Sequence, residues 1–155
     1  MKPQEQVIET LHTLLGHLGV SCTDIVIEKD ESTKSLRFVI MTPDPAVLIG
    51  EHGTRLLALN HLVKRIVERT LKDDNISFFI DVNDYQKKHI QDIRAKAHML
   101  AERARYFKSS VEMDPMSSYE RMIVHSEFSE VPDIGTESLG VGRERRVVIK
   151  YTQVN

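Results

Sequence analysis

The sequence predicts an α+β protein of two small domains joined through a long helix, and three observations carry that expectation. Segments with apolar residues three and four apart alternate with short runs of period two. Two glycines, Gly50 and Gly53, bracket a loop between two of the helical segments. Beyond Asn83 an unbroken helical pattern runs from Asp84 to Phe107. A chain of 155 residues suits one ordinary domain or two small ones.

Val7, Ile8, Leu11, Leu14, Leu15 and Leu18 give a first amphipathic helix that stops near Gly16 to Gly19. "CTDIVIEKD" and "SLRFVIMT" alternate and read as a hairpin across a polar turn, with Leu36, Phe38 and Ile40 on one face. Pro43 and Pro45 end the second strand, and Asp44 is placed to cap a short helix that has Pro45 first. After Gly53, Leu56, Leu59, Leu62, Val63, Ile66 and Val67 line one helical face, and "NISFFIDVN" reads as a strand over Asn75 to Val82. In the long helix Ile90, Ile93, Ala97, Leu100 and Ala104 point inward. "SSYERMIVHSEF" follows as a helix with a capping box, Ser117 at the N-cap and Glu120 three on. "DIGTESLG" and "RRVVIKY" close the chain as a strand pair joined by "LGVGRE". The division falls at residues 1–83 and 84–155.

Bulk properties narrow the function classes. No apolar run approaches the roughly 20 residues that cross a bilayer, and "MKPQEQVIETLHTLLGHL" lacks the marks of a signal peptide. The single Cys22 excludes an intrachain disulfide and suits a reducing cytoplasm, the expected location. Net charge is only −2, but it is unevenly spread. Residues 85–108 hold seven basic against two acidic residues, and residues 54–72 hold five against one. Acidic residues collect in "EKDE" and "KDDN". Basic stripes of this kind attract polyanions, although a solvated helix face is the commoner meaning of any one of them.

Two glycines three apart imply that something comes close to the backbone between them. Glycine tolerates positive φ, and the next helix begins with exposed amides whose dipole favours phosphate. Thr54 and Arg55 stand directly after the loop and are placed to add donors. The loop is not a Walker loop, since no Gly-Lys-Ser/Thr follows, nor a dinucleotide fingerprint, which needs a preceding strand. Gly-x-x-Gly by itself usually marks a simple turn.

The string "VLIGEHGTRLLALNHLV" resembles the KH domain, whose Ile-Gly-x-x-Gly loop clamps a single-stranded RNA backbone. The order αββααβ matches the type II form of that fold. The resemblance implies nucleic-acid contacts at Ile49, Gly50, Glu51, His52, Gly53, Thr54 and Arg55. Ile49, Leu56 and the strand near Phe38 would border a groove for about four nucleotides. Glu51 and His52 depart from the basic residues often found at the two variable positions, and a carboxylate there opposes phosphate. "MDPMSSYERMIVHSEF", followed by "TESLG" and "RRVVI", resembles the small α/β single-stranded nucleic-acid-binding domain named for its Arg-x-x-x-His. By that resemblance Arg121 and His125 contact phosphate, and Arg145 and Arg146 extend the basic surface.

Both strings in this order, with "IDVNDY" at the junction, resemble the bacterial Jag family (also called KhpB, or SpoIIIJ-associated). Two features differ. The extra N-terminal domain of many members is expected to be absent, and "LGVGRE" replaces the usual Gly-Glu-x-Pro. The resemblance implies single-stranded RNA binding, with single-stranded DNA as the alternative ligand, in a post-transcriptional regulator or RNA chaperone linked to cell elongation. It also implies a small KH-only protein partner and association with the membrane insertase. The long helix is expected to fix the relative placement of the two sites.

An enzyme is not expected. Cys22 lies near a strand start, no histidine pair or Cys/His set suits a metal, and no cofactor or small-molecule substrate is called for. His98 and Glu102 share a helical face as an exposed pair. Asp81 and Asp84 at the junction are expected to bond backbone groups. The alternative reading is a protein-interaction adaptor that pairs with another KH protein and retains residual RNA binding.

Overall fold

The computed structural model describes residues 2–30, 34–73 and 75–154. The expected polar turn at 31–33 lies outside the described residues, as does Asp74 in "KDDN". Backbone proximity divides the chain into two units, residues 1–86 and 87–155.

The first unit contains α1 (Pro3–Leu18), β1 (Asp24–Lys29), β2 (Leu36–Met41), α2 (Pro45–Ile49), α3 (Thr54–Leu71) and β3 (Phe78–Val82). The sheet runs β1–β2–β3, with β1 antiparallel and β3 parallel to β2. Phe38 pairs with Ile80 and Ile40 with Val82, so these four side chains share one face. They pack with Val7, Leu11 and Leu15 of α1 and Leu56, Leu59, Val63 and Val67 of α3. The α3 stripe is narrower than its sequence suggests, because Leu62 is half exposed. β3 begins at Phe78 rather than Asn75. Asp44 holds the N-cap position of α2, but its side chain makes no capping bond; its own N–H donates to Thr42 Oγ1 at 3.1 Å.

The opposite face of the sheet carries a buried charge. Alternation in "SLRFVI" turns Arg37 away from Phe38, where a cation would ordinarily meet water. Here it is almost fully buried. Its Nη2 donates to Asp81 Oδ2 and to Asp84 Oδ1, both at 2.6 Å, and its Nη1 donates to Glu28. Burial alone would lower the guanidinium pKa. The bonds to Asp84, Asp81 and Glu28 outweigh it and raise the pKa, so the cation persists. Asp81, fully buried, also accepts from Val82 N (2.8 Å) and Gln86 N (2.9 Å) through Oδ1. It thereby holds the first turn of α4 (Tyr85–Phe107).

Two asparagines use their carboxamides as strand surrogates. Asn60 on α3 accepts from Ile80 N at 2.7 Å and donates to Ile80 O at 2.8 Å. Asn83 does the same for Thr42, accepting from its N at 3.0 Å and donating to its O at 2.8 Å.

The second unit contains the rest of α4, then β4 (Ser110–Glu112), α5 (Ser118–Glu127), β5 (Ile134–Leu139) and β6 (Arg146–Tyr151). Its antiparallel sheet runs β4–β6–β5. Ala97, Leu100, Ala101 and Ala104 of α4 bury against Val124, Phe128, Ile134, Val147 and Ile149. Ile93 joins that core only in part, and Ile90 is likewise partly buried. His89 Nε2 lies 2.6 Å from Glu120 Oε1, and Arg105 Nε donates to Asp133 Oδ2 at 2.7 Å. His98 Nε2 lies 2.8 Å from Glu127 Oε1, while Glu102 pairs with Arg105, so the expected His98–Glu102 pair does not form.

Removing the cation would leave Asp81 buried and uncompensated. Arg37→Leu should lower the unfolding free energy of the first unit by about 3–5 kcal/mol, measured by urea denaturation with circular dichroism. A loss no larger than the ~0.5 kcal/mol of a surface pair would mean that Asp81 does not depend on Arg37.

Candidate nucleic-acid interface

The glycine loop is shaped by its own neighbours. Gly50 has φ +71° and ψ −172°, a region open essentially to glycine alone. A Cβ there would lie 2.5 Å from Arg55 Cγ. Gly53 has φ +76°, and a Cβ there would lie 3.2 Å from Tyr85 Cε1. What comes close to the backbone at each glycine is therefore a side chain of this chain. Between them His52 is also left-handed, at φ 53°.

The donors expected after the loop are partly turned inward. Thr54 Oγ1 donates to Glu51 O at 2.8 Å, and Arg55 Nη1 donates to Val47 O at 3.3 Å. Glu51 and His52 stand out into solvent with Oε1 and Nε2 3.8 Å apart. Ile49 is half-buried against the core.

Leu56 and Phe38 do not border a groove, because both are buried in the core. A shallow, mostly apolar groove instead lies between α3 and β3. It is lined by Thr54, Leu57, Ala58, His61, Lys64 and Phe78. One step along a helix turns a side chain by about 100°, so Leu57, 72% exposed, leaves the core stripe that Leu56 occupies.

In the second unit the capping box sets where α5 begins. Glu120 N donates to Ser117 Oγ (3.3 Å), and Ser117 N donates to Glu120 Oε2 (2.7 Å). One turn on, Arg121 Nη1 donates to Met116 O (2.8 Å) and Nη2 to Ser118 Oγ (3.1 Å). His125 lies a further turn along the same face. Its Nδ1 is 2.7 Å from Thr136 Oγ1 and its Nε2 is 2.8 Å from Ser138 Oγ. Burial first, and the nearby Arg121 charge second, lower the His125 pKa. The imidazole is neutral at neutral pH, so one ring nitrogen donates to a hydroxyl and the other accepts from one.

Arg121 and His125 are thus brought together, the Arg121 charge bearing on the imidazole, while Arg145 is exposed and accepts from Met116 N through its backbone O at 3.1 Å. Arg146 does not join the Arg121–His125 pair. Strand alternation turns it to the other face of the sheet, where its Nε donates to Glu112 Oε2 at 2.8 Å. Sequence reasoning missed the hydroxyls of Ser118, Thr136 and Ser138. Two hydroxyls on the same strand face as Ile134 were the available signal, because an inward hydroxyl needs a polar partner.

Other chemistry is sparse. Among the described residues no group of three or more His, Cys, Asp or Glu could hold a metal ion. Burial pushes the Cys22 thiol pKa up, against a lowering bond to Asp24 O and with help from the Asp24 charge. No helix among the described residues is long and apolar enough to cross a membrane.

Residues 88–151, within the second unit, match the family model described as the R-3-H domain, which is named for an Arg-x-x-x-His. Across both units the chain is similar to proteins named RNA-binding protein KhpB. It is 28% identical to that of Clostridium symbiosum over 98% of this chain and 68% of the relative. It is 30% identical to that of Bacillus subtilis (strain 168) over 83% of this chain and 62% of the relative. It is also 30% identical to that of Streptococcus pneumoniae (serotype 2, strain D39) over 93% of this chain, but this spans only 43% of the relative.

Gly50→Ala should destabilise the first unit by about 1–3 kcal/mol through backbone strain, read as a lowered thermal midpoint. An unchanged midpoint would show that the loop relaxes freely. For His125 the folded pKa lies below the unfolded value of about 6.5. The unfolded chain therefore binds the proton more readily. The stability contributed by neutral His125 is complete above that value and is lost as pH falls below it. His125→Gln should flatten the dependence of stability between about pH 7 and pH 5, and an unaltered profile would assign the titration elsewhere.

Proposed function

We propose that this chain binds single-stranded RNA, making and breaking no bond, through a KH-like first unit and the Arg121–His125 face of the second. The observation that carries the proposal is the cluster at α5. A guanidinium, an imidazole and three hydroxyls converge within the segment that matches the Arg-x-x-x-His domain family. The names of the relatives support the same ligand.

Each part has a role on this reading. Arg121, held by Met116 O and Ser118 Oγ, presents its remaining N–H groups to a phosphate in a fixed orientation. Arg145, exposed just before β6, adds a second cation to the same unit. Neutral His125 donates its one N–H to one of the Thr136 and Ser138 hydroxyls and accepts from the other, so the hydroxyl that accepts keeps its O–H for a phosphate oxygen. In the first unit, amides at the start of α3 meet phosphate, and Leu57 and Phe78 give bases an apolar wall with Lys64 at its rim. Such contacts position a strand and carry little sequence information. Two weak sites on one chain raise avidity by roughly 10²–10⁴ where one strand reaches both. A cytoplasmic RNA chaperone or post-transcriptional regulator linked to cell elongation is the matching cellular role. A small KH-only partner and the membrane insertase belong to the same reading.

One observation favours the adaptor reading for the first unit. The Glu51 carboxylate stands almost fully exposed on the loop and repels a polyanion. A filter-binding titration of the intact chain against salt separates the two. For a single strand the log–log slope is about −0.7 per phosphate neutralised. Arg121→Ala should shallow the slope by about that amount and weaken binding about tenfold, the size of one charged hydrogen bond. Glu51→Lys should tighten binding and steepen the slope. Identical curves for wild type and Arg121→Ala, with protein partners still bound, would leave the adaptor.

A further inference from the structure

The loop between Gly50 and Gly53 is held in shape by a residue outside it, and we infer that Tyr85 is its positioning residue. This rests on the proposed RNA reading, in which that loop meets phosphate. Tyr85 opens α4, more than thirty residues after the loop, and nothing in the Gly-x-x-Gly pattern points to it. Its ring edge nevertheless faces Gly53, with Cε1 3.2 Å and Oη 3.4 Å from where a Cβ would stand. Gly53 is the residue from which α3 departs, in the left-handed conformation that turns the chain into the helix. A ring seated there blocks the space into which the loop would otherwise relax.

Tyr85 is itself fixed from three directions. Its ring packs against the apolar core of the first unit. The residue before it, Asp84, is left-handed at φ 60° and bonded to buried Arg37. The residue after it, Gln86, donates its N–H to Asp81, which also bonds Arg37. The ion cluster beneath the sheet therefore sets the backbone on both sides of Tyr85, and Tyr85 sets Gly53. At the other end of the loop Arg55 covers Gly50 and bonds Val47 O, so each glycine has its own buttress. The Arg55 stem is flexible, whereas the Tyr85 ring is rigid and anchored. Tyr85 acts through the loop backbone and leaves phosphate to the amides.

The intact chain, Tyr85→Ala and Tyr85→Phe are compared in two measurements. The first needs no RNA. Backbone ¹⁵N order parameters of residues 50–54 should stay near ~0.85 in wild type and Tyr85→Phe and fall toward ~0.6 in Tyr85→Ala. The second is the salt titration with a labelled single-stranded oligouridylate. Tyr85→Ala should weaken binding about tenfold at a fixed salt concentration. Its slope should become shallower by about 0.7, one phosphate, while Tyr85→Phe stays within twofold of wild type. A core residue acting only on stability would lower the thermal midpoint and leave both the slope and the loop order unchanged, which would overturn the inference. Equal losses in Tyr85→Phe and Tyr85→Ala would overturn it too, because the hydroxyl rather than the ring would be acting. Absence of oligouridylate binding by wild type would sink the RNA reading alone, and the order parameters would still decide the role of Tyr85.

Discussion

Arg37 reaches carboxylates from three separate stretches of chain: Glu28 on β1, Asp81 on β3 and Asp84 in the turn before α4. An ion cluster of this kind adds little net stability over an apolar packing of equal volume, because both charges must leave water. Its effect lies in what it forbids. Strands β1 and β3 meet the helices with apolar side chains, whose non-directional packing alone would tolerate sliding. A slip of one residue would carry Arg37 into the Phe38–Ile80 core and abandon a buried carboxylate. The register of the sheet and the starting point of α4 are thus tied to one guanidinium.

On the proposed reading the two units meet the same phosphate chemistry by different means. In the first the donors are backbone amides, and the structure is devoted to holding a strained backbone still. Gly50 and Gly53 accept conformations other residues avoid, and Arg55 and Tyr85 close over them. In the second unit the donors are side chains on a regular helix. The task there is to hold rotamers, and it falls to Met116 O, Ser118, Thr136 and Ser138.

Element types were legible from local signals. The capping box of α5 forms as its Ser-x-x-Glu spacing demands, and both helix–strand alternations appear in order. What was not legible depends on distant partners. β4 has only three residues and no periodicity, and it exists because β6 offers it a ladder. Arg37 reads as solvent-facing until Asp81, 44 residues on, is brought beneath it. Period alone cannot say whether Leu56 or Leu57 edges the core stripe, and the structure buries Leu56 and exposes Leu57. The resemblance assigns Arg145 and Arg146 to one basic surface, whereas strand alternation sends Arg146 to the face that carries Glu112. Motif spacing proposes candidate residues, and tertiary contacts decide which of them lie together.

Asn60 occupies both outward hydrogen-bonding groups of Ile80, at the midpoint of the outer strand β3. A free outer strand invites another polypeptide to extend the sheet. Here an incoming strand would find its central rung already taken and would have to expel a well-bonded carboxamide to continue. Strand addition at β3 is thereby opposed at its central rung, while the side chain of Phe78 stays open to the groove. A ligand along this border of α3 meets side chains and shape at that point, where the ladder is already occupied.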